Sequence, residues 1–433
     1  MSLLTRLPLL ATAALGTVMF AGSAHAQAFY LQEQSARGAG RAFSGEGADT
    51  GAASLWWNPA AIANIDRTEI TVAASMVRPH GNVADHGTLI VRPASAPALV
   101  GGDPIARNPI SNGVIPSGAI AIPLGRNLAF GLAVTSPYSF TTDYAATSWS
   151  RYSALRTKLL TIDIQPSIAF APTDWLRIGA GPNIEYADAT LSNALPNLSA
   201  LLPDGQQALK GHGWDLGWTA GVQLHNDFAT VGITYKSRIE HTLNGQIDVT
   251  GLVGPLAGQN MSLSGVKARY TTPAQVIVGA RFNVTNRLTL NAQAVAYQWS
   301  RFDAITLGAP VNSAIPENYR DSWSLAGGVD YALSPVVTVR AGVQRAVTPT
   351  QDGLRDARVP DSDRWNFGVG LTANVSKHFA VDAAANYVDF ANAPIDRTTA
   401  AYYGTPAQTV VLTNGELHDA NAVVLSLGGH FTF

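Results

Sequence analysis

Apolar and polar residues alternate one by one through long stretches of this chain, the period expected of strands with two unlike faces. In Leu160–Phe170 one face carries Leu160, Ile162, Ile164, Pro166, Ile168 and Phe170, and the other Thr161, Asp163, Gln165, Ser167 and Ala169. In Trp365–Val375 the apolar face is Trp365, Phe367, Val369, Leu371, Ala373 and Val375, against Asn366, Gly368, Gly370, Thr372 and Asn374. The terminal segment sets Val423, Leu425, Leu427, Gly429, Phe431 and Phe433 against Val424, Ser426, Gly428, His430 and Thr432. Fourteen such segments begin near Glu69, Ser117, Leu128, Leu160, Leu176, Trp214, Thr230, Ala274, Leu288, Trp323, Val336, Trp365, Phe379 and Ala422. An even count is what a single-chain bacterial barrel requires.

The connections alternate in length. Short turns fall at Gly125-Arg126-Asn127, Thr173-Asp174-Trp175, Asn226-Asp227-Phe228, Thr285-Asn286-Arg287, Leu333-Ser334-Pro335 and Ser376-Lys377-His378. Long connections are expected over 81–116, 141–158, 192–213, 244–269, 302–321, 348–364 and 390–421. Short turns on one rim and long loops on the other describe an outer-membrane barrel whose short side is periplasmic. The predicted fold class is therefore all-β: a 14-stranded antiparallel transmembrane β-barrel over residues 67–433.

Composition agrees. Only 13% of residues are charged, against roughly 25% in soluble domains. Beyond residue 26 no apolar run reaches the ~18 residues of a spanning helix. The absence of Cys fits export. A net charge of −2 leaves no nucleic-acid footprint and no single-sign field to steer ions. Residues 1–26 read as a signal peptide: Arg6 gives a positive start, Leu7–Phe20 a short apolar run, and Ala24-His25-Ala26 a small-x-small cleavage site. The mature chain would start at Gln27.

Residues 27–66 lack sustained alternation and hold small residues, Gly and an Asn-Pro pair. Phe29, Leu31, Phe43, Trp56 and Trp57 are poorly suited to free water. A plug folded into the lumen is the favoured reading, and a flexible periplasmic tail the alternative.

Three N-terminal stretches resemble one family. They are Phe29-Tyr-Leu-Gln-Glu-Gln-Ser35, Gly38-Ala-Gly-Arg-Ala-Phe-Ser-Gly-Glu-Gly47 and Asn58-Pro59-Ala60. Together they look like the N-terminal hatch of FadL-type long-chain fatty-acid transporters. Tyr297-Gln-Trp-Ser-Arg-Phe302, Tyr319-Arg-Asp-Ser-Trp323 and Pro360-Asp-Ser-Asp-Arg-Trp365 extend the likeness along the mature chain. The resemblance implies a fourteen-stranded barrel with a luminal hatch and a hydrophobic groove among extracellular loops. It also implies a tighter pocket below the groove and lateral exit through a kinked third strand. The terminal aromatic, Phe433, implies recognition by the barrel assembly machinery.

Several residues become candidates. Pro137, followed by Tyr138, lies within the alternating third segment. Proline lacks the N–H a ladder needs, so it marks either a gap in pairing or the strand's end above the membrane. Leu195, Leu198, Leu201, Leu202 and Leu209 make one long loop unusually apolar, and Leu252, Val253, Pro255, Leu256 and Met261 do so in the next. Exposed apolar patches mark binding sites; the alternative is that the loops cap each other. In the family these two loops form the low-affinity groove. A buried carboxylate needs a cation or several donors. The resemblance puts Arg320 in that role, while a second basic position falls near Asn193. Arg364 has Asp361 and Asp363 as candidate partners, or tethers the hatch. Phe29, Asn58, Pro59 and Ala60 complete the hatch and gating set.

Catalytic chemistry finds little support. The chain has no thiol, no paired-histidine metal motif and no nucleophile elbow, and His212, His225, His241, His378, His418 and His430 lack a Ser or Asp at diagnostic spacing. No cofactor is expected. The leading function is passive uptake of hydrophobic molecules, above all long-chain fatty acids, by a monomer in the outer-membrane bilayer. Uptake of aromatic hydrocarbons or other hydrophobic compounds is the alternative, and a general porin is the remoter one.

Overall fold

The computed structural model describes residues 28–433; the expected leader over 1–26 lies outside them, as does Gln27. Fourteen strands close into one antiparallel barrel. They are β1 (Glu69–Asp85), β2 (Gly113–Pro123), β3 (Leu128–Thr135 and Ser139–Asp143), β4 (Arg156–Thr173) and β5 (Leu176–Leu195). Next come β6 (Gly205–His225), β7 (Ala229–Lys236 and Ile239–Thr250), β8 (Met261–Thr272 and Gln275–Asn283) and β9 (Leu288–Tyr297). The last five are β10 (Ser322–Ala332), β11 (Val337–Ala346), β12 (Arg364–Asn374), β13 (Phe379–Phe390 and Ala393–Ala401) and β14 (Thr409–Thr432). β14 pairs with β1 from Glu69↔Thr432 to Asp85↔Gly415, so the sheet closes on itself.

The faces are inverted relative to a soluble sheet. Phe367, Val369 and Leu371 on β12 are exposed, while Asn366 beside them is buried. On β4, Thr161, Asp163, Gln165 and Ser167 are buried and Ile168 and Phe170 exposed. Apolar side chains face lipid and polar ones the lumen, as the alternation requires.

Three of the expected long loops are largely strand. Pairing continues to Leu195↔Gly205, to Val249↔Met261 and through Ala393↔Leu417 to Ala401↔Thr409. Only residues 196–204, 251–260 and 402–408 are left as tips. Above the apolar belt neither face meets lipid, so alternation fades from the sequence. The backbone groups still need partners, and the ladder supplies them.

Residues 28–63 are almost entirely buried. They touch β1–β8 on one side and β12–β14 on the other, which places them within the lumen. A short helix, α1 (Ala36–Ala39), is capped by Ser35, whose Oγ accepts the Gly38 N–H at 3.1 Å. Glycines on the wall let this segment seat: a Cβ on Gly342 would lie 2.1 Å from the Arg41 carbonyl oxygen, and one on Gly368 2.5 Å from that of Ala39. A tail in free water is therefore not what the segment forms.

Candidate ligand cavity and wall gap

An apolar cavity lies between the hatch and the outer halves of β4 to β8. Leu159, Leu191, Leu209, Leu243 and Tyr270 form its barrel side, and Phe29, Phe140 and Phe302 close it. Its free space is about 60 Å³, room for about two waters, whereas small-molecule sites run to roughly 300–1,000 Å³. Phe29 lies on the hatch side of this space. Its ring lies 4.9 Å from Trp299, 5.3 Å from Phe302 and 5.6 Å from Phe140, centroid to centroid. Aromatic rings at such distances attract beyond their area burial, so Phe29 holds the cavity shut from below.

Phe29 also belongs to the wall. β3 is interrupted at Ser136-Pro137-Tyr138, between its two parts. Its lower part pairs with β2 only over Gly118–Pro123, and Gly113–Ser117 of β2 pair with β1 alone. The barrel closes again higher up through an Ile110↔Thr142 bridge. Between these levels the β2–β3 ladder is missing. The hatch occupies the gap from within: the Leu31 N–H donates to the Pro137 carbonyl at 2.7 Å, and the Ser139 N–H donates to the Phe29 carbonyl at 3.1 Å. Gln34 completes it, its amide donating to the Ser136 carbonyl at 2.9 Å and accepting the Ser136 N–H at 3.1 Å. Backbone groups freed by the break are thus satisfied by the N-terminal segment. Because β3 resumes at Ser139, Pro137 lies within the strand's course rather than at its end.

Other candidates fall as follows. Asn58 caps the turn that Pro59 begins, accepting the Ala60 N–H at 3.0 Å and donating to the Gly47 carbonyl at 2.7 Å. Asp361 accepts the Ala28 N–H and pairs with Arg364, whereas Asp363 pairs with Arg345 at 2.7 Å. Leu195, Leu252 and Leu256 are buried together with Val249, with Leu198 packed against them, so these loop leucines cap each other. Leu201 and Leu202 remain exposed. Arg320 is exposed, its Nε 3.4 Å from the Thr348 carbonyl, and it does not line the cavity; its neighbour Tyr319 joins the aromatic cluster instead. The charged groups at the cavity are Lys158, Glu317 and Arg358.

Sequence reasoning missed Lys158, Glu317 and Arg358 as site residues; it also missed the hatch anchor. Arg41 is fully buried and pairs with Glu46, Asp49 and Asp330. Arg281 of β8 bridges Asp330 at 2.9 Å and Asp49 at 3.3 Å. Higher up, Trp56 donates to Asp163 at 3.3 Å, and Lys236 sits 3.9 Å over its ring. Arg41 and Glu46 lie inside the quoted hatch motif, which was the available signal. Asp330, which pairs with Arg41, and Arg281, which pairs with Asp49, are hundreds of residues away.

Comparison with known proteins agrees with this architecture. Residues 17–433 match the family described as "Outer membrane protein transport protein (OMPP1/FadL/TodX)". Outer membrane protein P1 of Haemophilus influenzae is 25% identical over 420 residues, 88% of this chain and 89% of that one. The long-chain fatty acid transport protein of Escherichia coli K12 is 25% identical over 417 residues, 87% of this chain and 90% of that one. Among solved structures, a Pseudomonas aeruginosa FadL homologue superposes with a TM-score of 0.81 at 24% identity, covering 94% of this chain and all of that one. The Ralstonia pickettii toluene transporter TbuX does so at 0.63 and 18% identity, over 93% of this chain and 99% of that one. The chain belongs to the OMPP1/FadL/TodX family of outer-membrane transport proteins.

Proposed function

We propose that this protein takes up long-chain fatty acids passively, through the cavity and then sideways through the gap in β3. One observation carries the reading: Phe29 both lines the cavity and pairs, through its carbonyl, with the broken strand. A ligand entering the cavity must displace Phe29, and displacement removes the segment that covers the gap. The ligand's binding energy is thereby coupled to opening, since it favours only the state in which Phe29 has moved. Arg358 and, from β4, Lys158 line the cavity, and either cation suits a carboxylate. The anchored lower hatch stands against passage through the barrel floor.

A single chain closes the barrel, which supports action as a monomer. The exposed Phe433, at the short-turn rim, supports recognition by the assembly machinery. The cluster of Phe29, Phe140, Trp299, Phe302 and Tyr319 favours one second reading, that aromatic hydrocarbons also bind. Binding of labelled palmitate and toluene to purified protein tests both. Palmitate should bind, and Leu209→Asp, which puts a charge in the apolar wall, should abolish binding and uptake. Uptake unaffected by Leu209→Asp, or porin-sized conductance in planar bilayers, would remove the cavity from the pathway.

A further inference from the structure

The cavity has one charged corner, and it is already balanced. Glu317, on the connection between β9 and β10, and Arg358, on that between β11 and β12, both line the cavity. Arg358 Nη1 lies 3.5 Å from Glu317 and 3.5 Å from Asp356. Arg397, on the outer extension of β13, lies 2.8 Å from Asp356 and 3.9 Å from Glu317. Arg358, Asp356 and Arg397 are the charged groups facing Glu317, with Tyr319 beside it on its own connection and Lys158 across the cavity on β4. Two cations meet two anions. An incoming carboxylate would leave an uncompensated negative charge in a buried place, which is strongly unfavourable. Binding a carboxylate therefore requires that one resident anion withdraw or take up a proton.

Geometry selects which one. Asp356 is held by Arg397 at 2.8 Å and by the Arg358 backbone N–H at 2.7 Å. Among the described residues the Glu317 carboxylate has only the two long contacts. Arg358 is fixed in place, its Nε donating to the Ser153 carbonyl at 3.1 Å. Its Nη2 carries no hydrogen bond among the described residues. The cation is thus oriented, with a donor to spare and a loosely held partner.

We infer that Glu317 determines the specificity of the cavity: it stands on Arg358 where a ligand's carboxylate would, and yields that place by taking one proton from solvent. A neutral molecule of equal length fills the cavity without disturbing the pair. The inference rests on the cavity being the ligand site. Burial, followed by the nearby Asp356, raises the Glu317 carboxyl to about 7, against the pull of Arg358 and Arg397, so the proton is available near neutrality. The sign follows. Protonated Glu317 admits a carboxylate, so carboxylate binding is tight below that value and weakens above it.

The test uses palmitate, cetyl alcohol and hexadecyl sulfonate with the purified full-length protein, by calorimetry from about pH 6 to pH 8. Palmitate and the sulfonate should bind about tenfold more weakly at the upper end, as the competent protonated fraction falls. The sulfonate stays ionised throughout, so its fall cannot come from the ligand. The alcohol should be unaffected. In Glu317→Gln the dependence should vanish, with palmitate at about pH 8 bound about tenfold more tightly than by the parent protein. The same dependence in Glu317→Gln, or an equal fall for the alcohol, would overturn the role of Glu317 alone. If neither palmitate nor the alcohol binds at any pH, the cavity is not the ligand site and both readings fall.

Discussion

Asp361 holds the first described residue of the hatch to the barrel: its Oδ2 accepts the Ala28 N–H at 2.8 Å, while its Oδ1 pairs with Arg364 at 3.2 Å. Asp361 and Arg364 are both buried. Phe29 follows Ala28 directly, so Asp361 fixes the residue that closes both cavity and gap.

Weakening this latch should loosen the gate. Hydrogen bonds to charged acceptors contribute about 1.5–3 kcal/mol. In Asp361→Asn the Leu31 amide, which spans the gap to Pro137, should exchange its hydrogen about tenfold faster or more. Palmitate uptake should rise. Unchanged exchange at Leu31 would show that the latch is not what holds the segment.

The lower hatch should behave oppositely. Arg41→Met leaves buried Glu46 without its ion-pair partner, while Asp49 and Asp330 keep Arg281, and breaking such a buried pair costs about 3–5 kcal/mol. Strand pairing does not involve Arg41, so the barrel should remain folded and heat-modifiable. Fluorescence of Trp56 and Trp57 should change at lower denaturant than barrel unfolding. Simultaneous loss of both signals at the original midpoint would deny the network an anchoring role.

The two faces of β12 offer a separate check. Val369 faces lipid, and Arg there should cost about 2–4 kcal/mol in folding into vesicles. Gly370→Val should disturb the hatch instead, because a Cβ at Gly370 would lie 2.6 Å from Gly40 Cα. Urea titration of folding should be shifted by the first, and Trp56 and Trp57 fluorescence by the second. The reverse pattern would mean the faces are assigned the wrong way round.

These contrasts also explain what the sequence discloses. Lipid on one side of every strand imposes strict alternation, so all fourteen strands and the six short turns could be read from Glu69 to Phe433. Pro137 disclosed the break because its chemistry is local. Phe29 was legible as a hatch residue, but the pairing of Phe29 and Leu31 with the broken strand was not, since they meet it through backbone atoms. Glu317 and Arg358 lie in loops without periodicity, and only the barrel's closure brings them together. Arg320 attracted attention as the basic residue of a familiar stretch, yet the chain turns Tyr319 inward there and leaves Arg320 outside.

Lateral exit is the central claim, and a single cross-link tests it. Tyr30 and Tyr138 face each other across an antiparallel bridge between hatch and broken strand. Opposed residues of this kind have Cα atoms about 4.5–5.5 Å apart, within disulfide reach. The chain has no cysteine to interfere. With Tyr30→Cys and Tyr138→Cys oxidised, the hatch should be locked in the gap. Labelled palmitate should then still adsorb at the cell surface but fail to enter, and reduction should restore uptake. Normal uptake by the oxidised protein would contradict the account and send the ligand through the barrel floor.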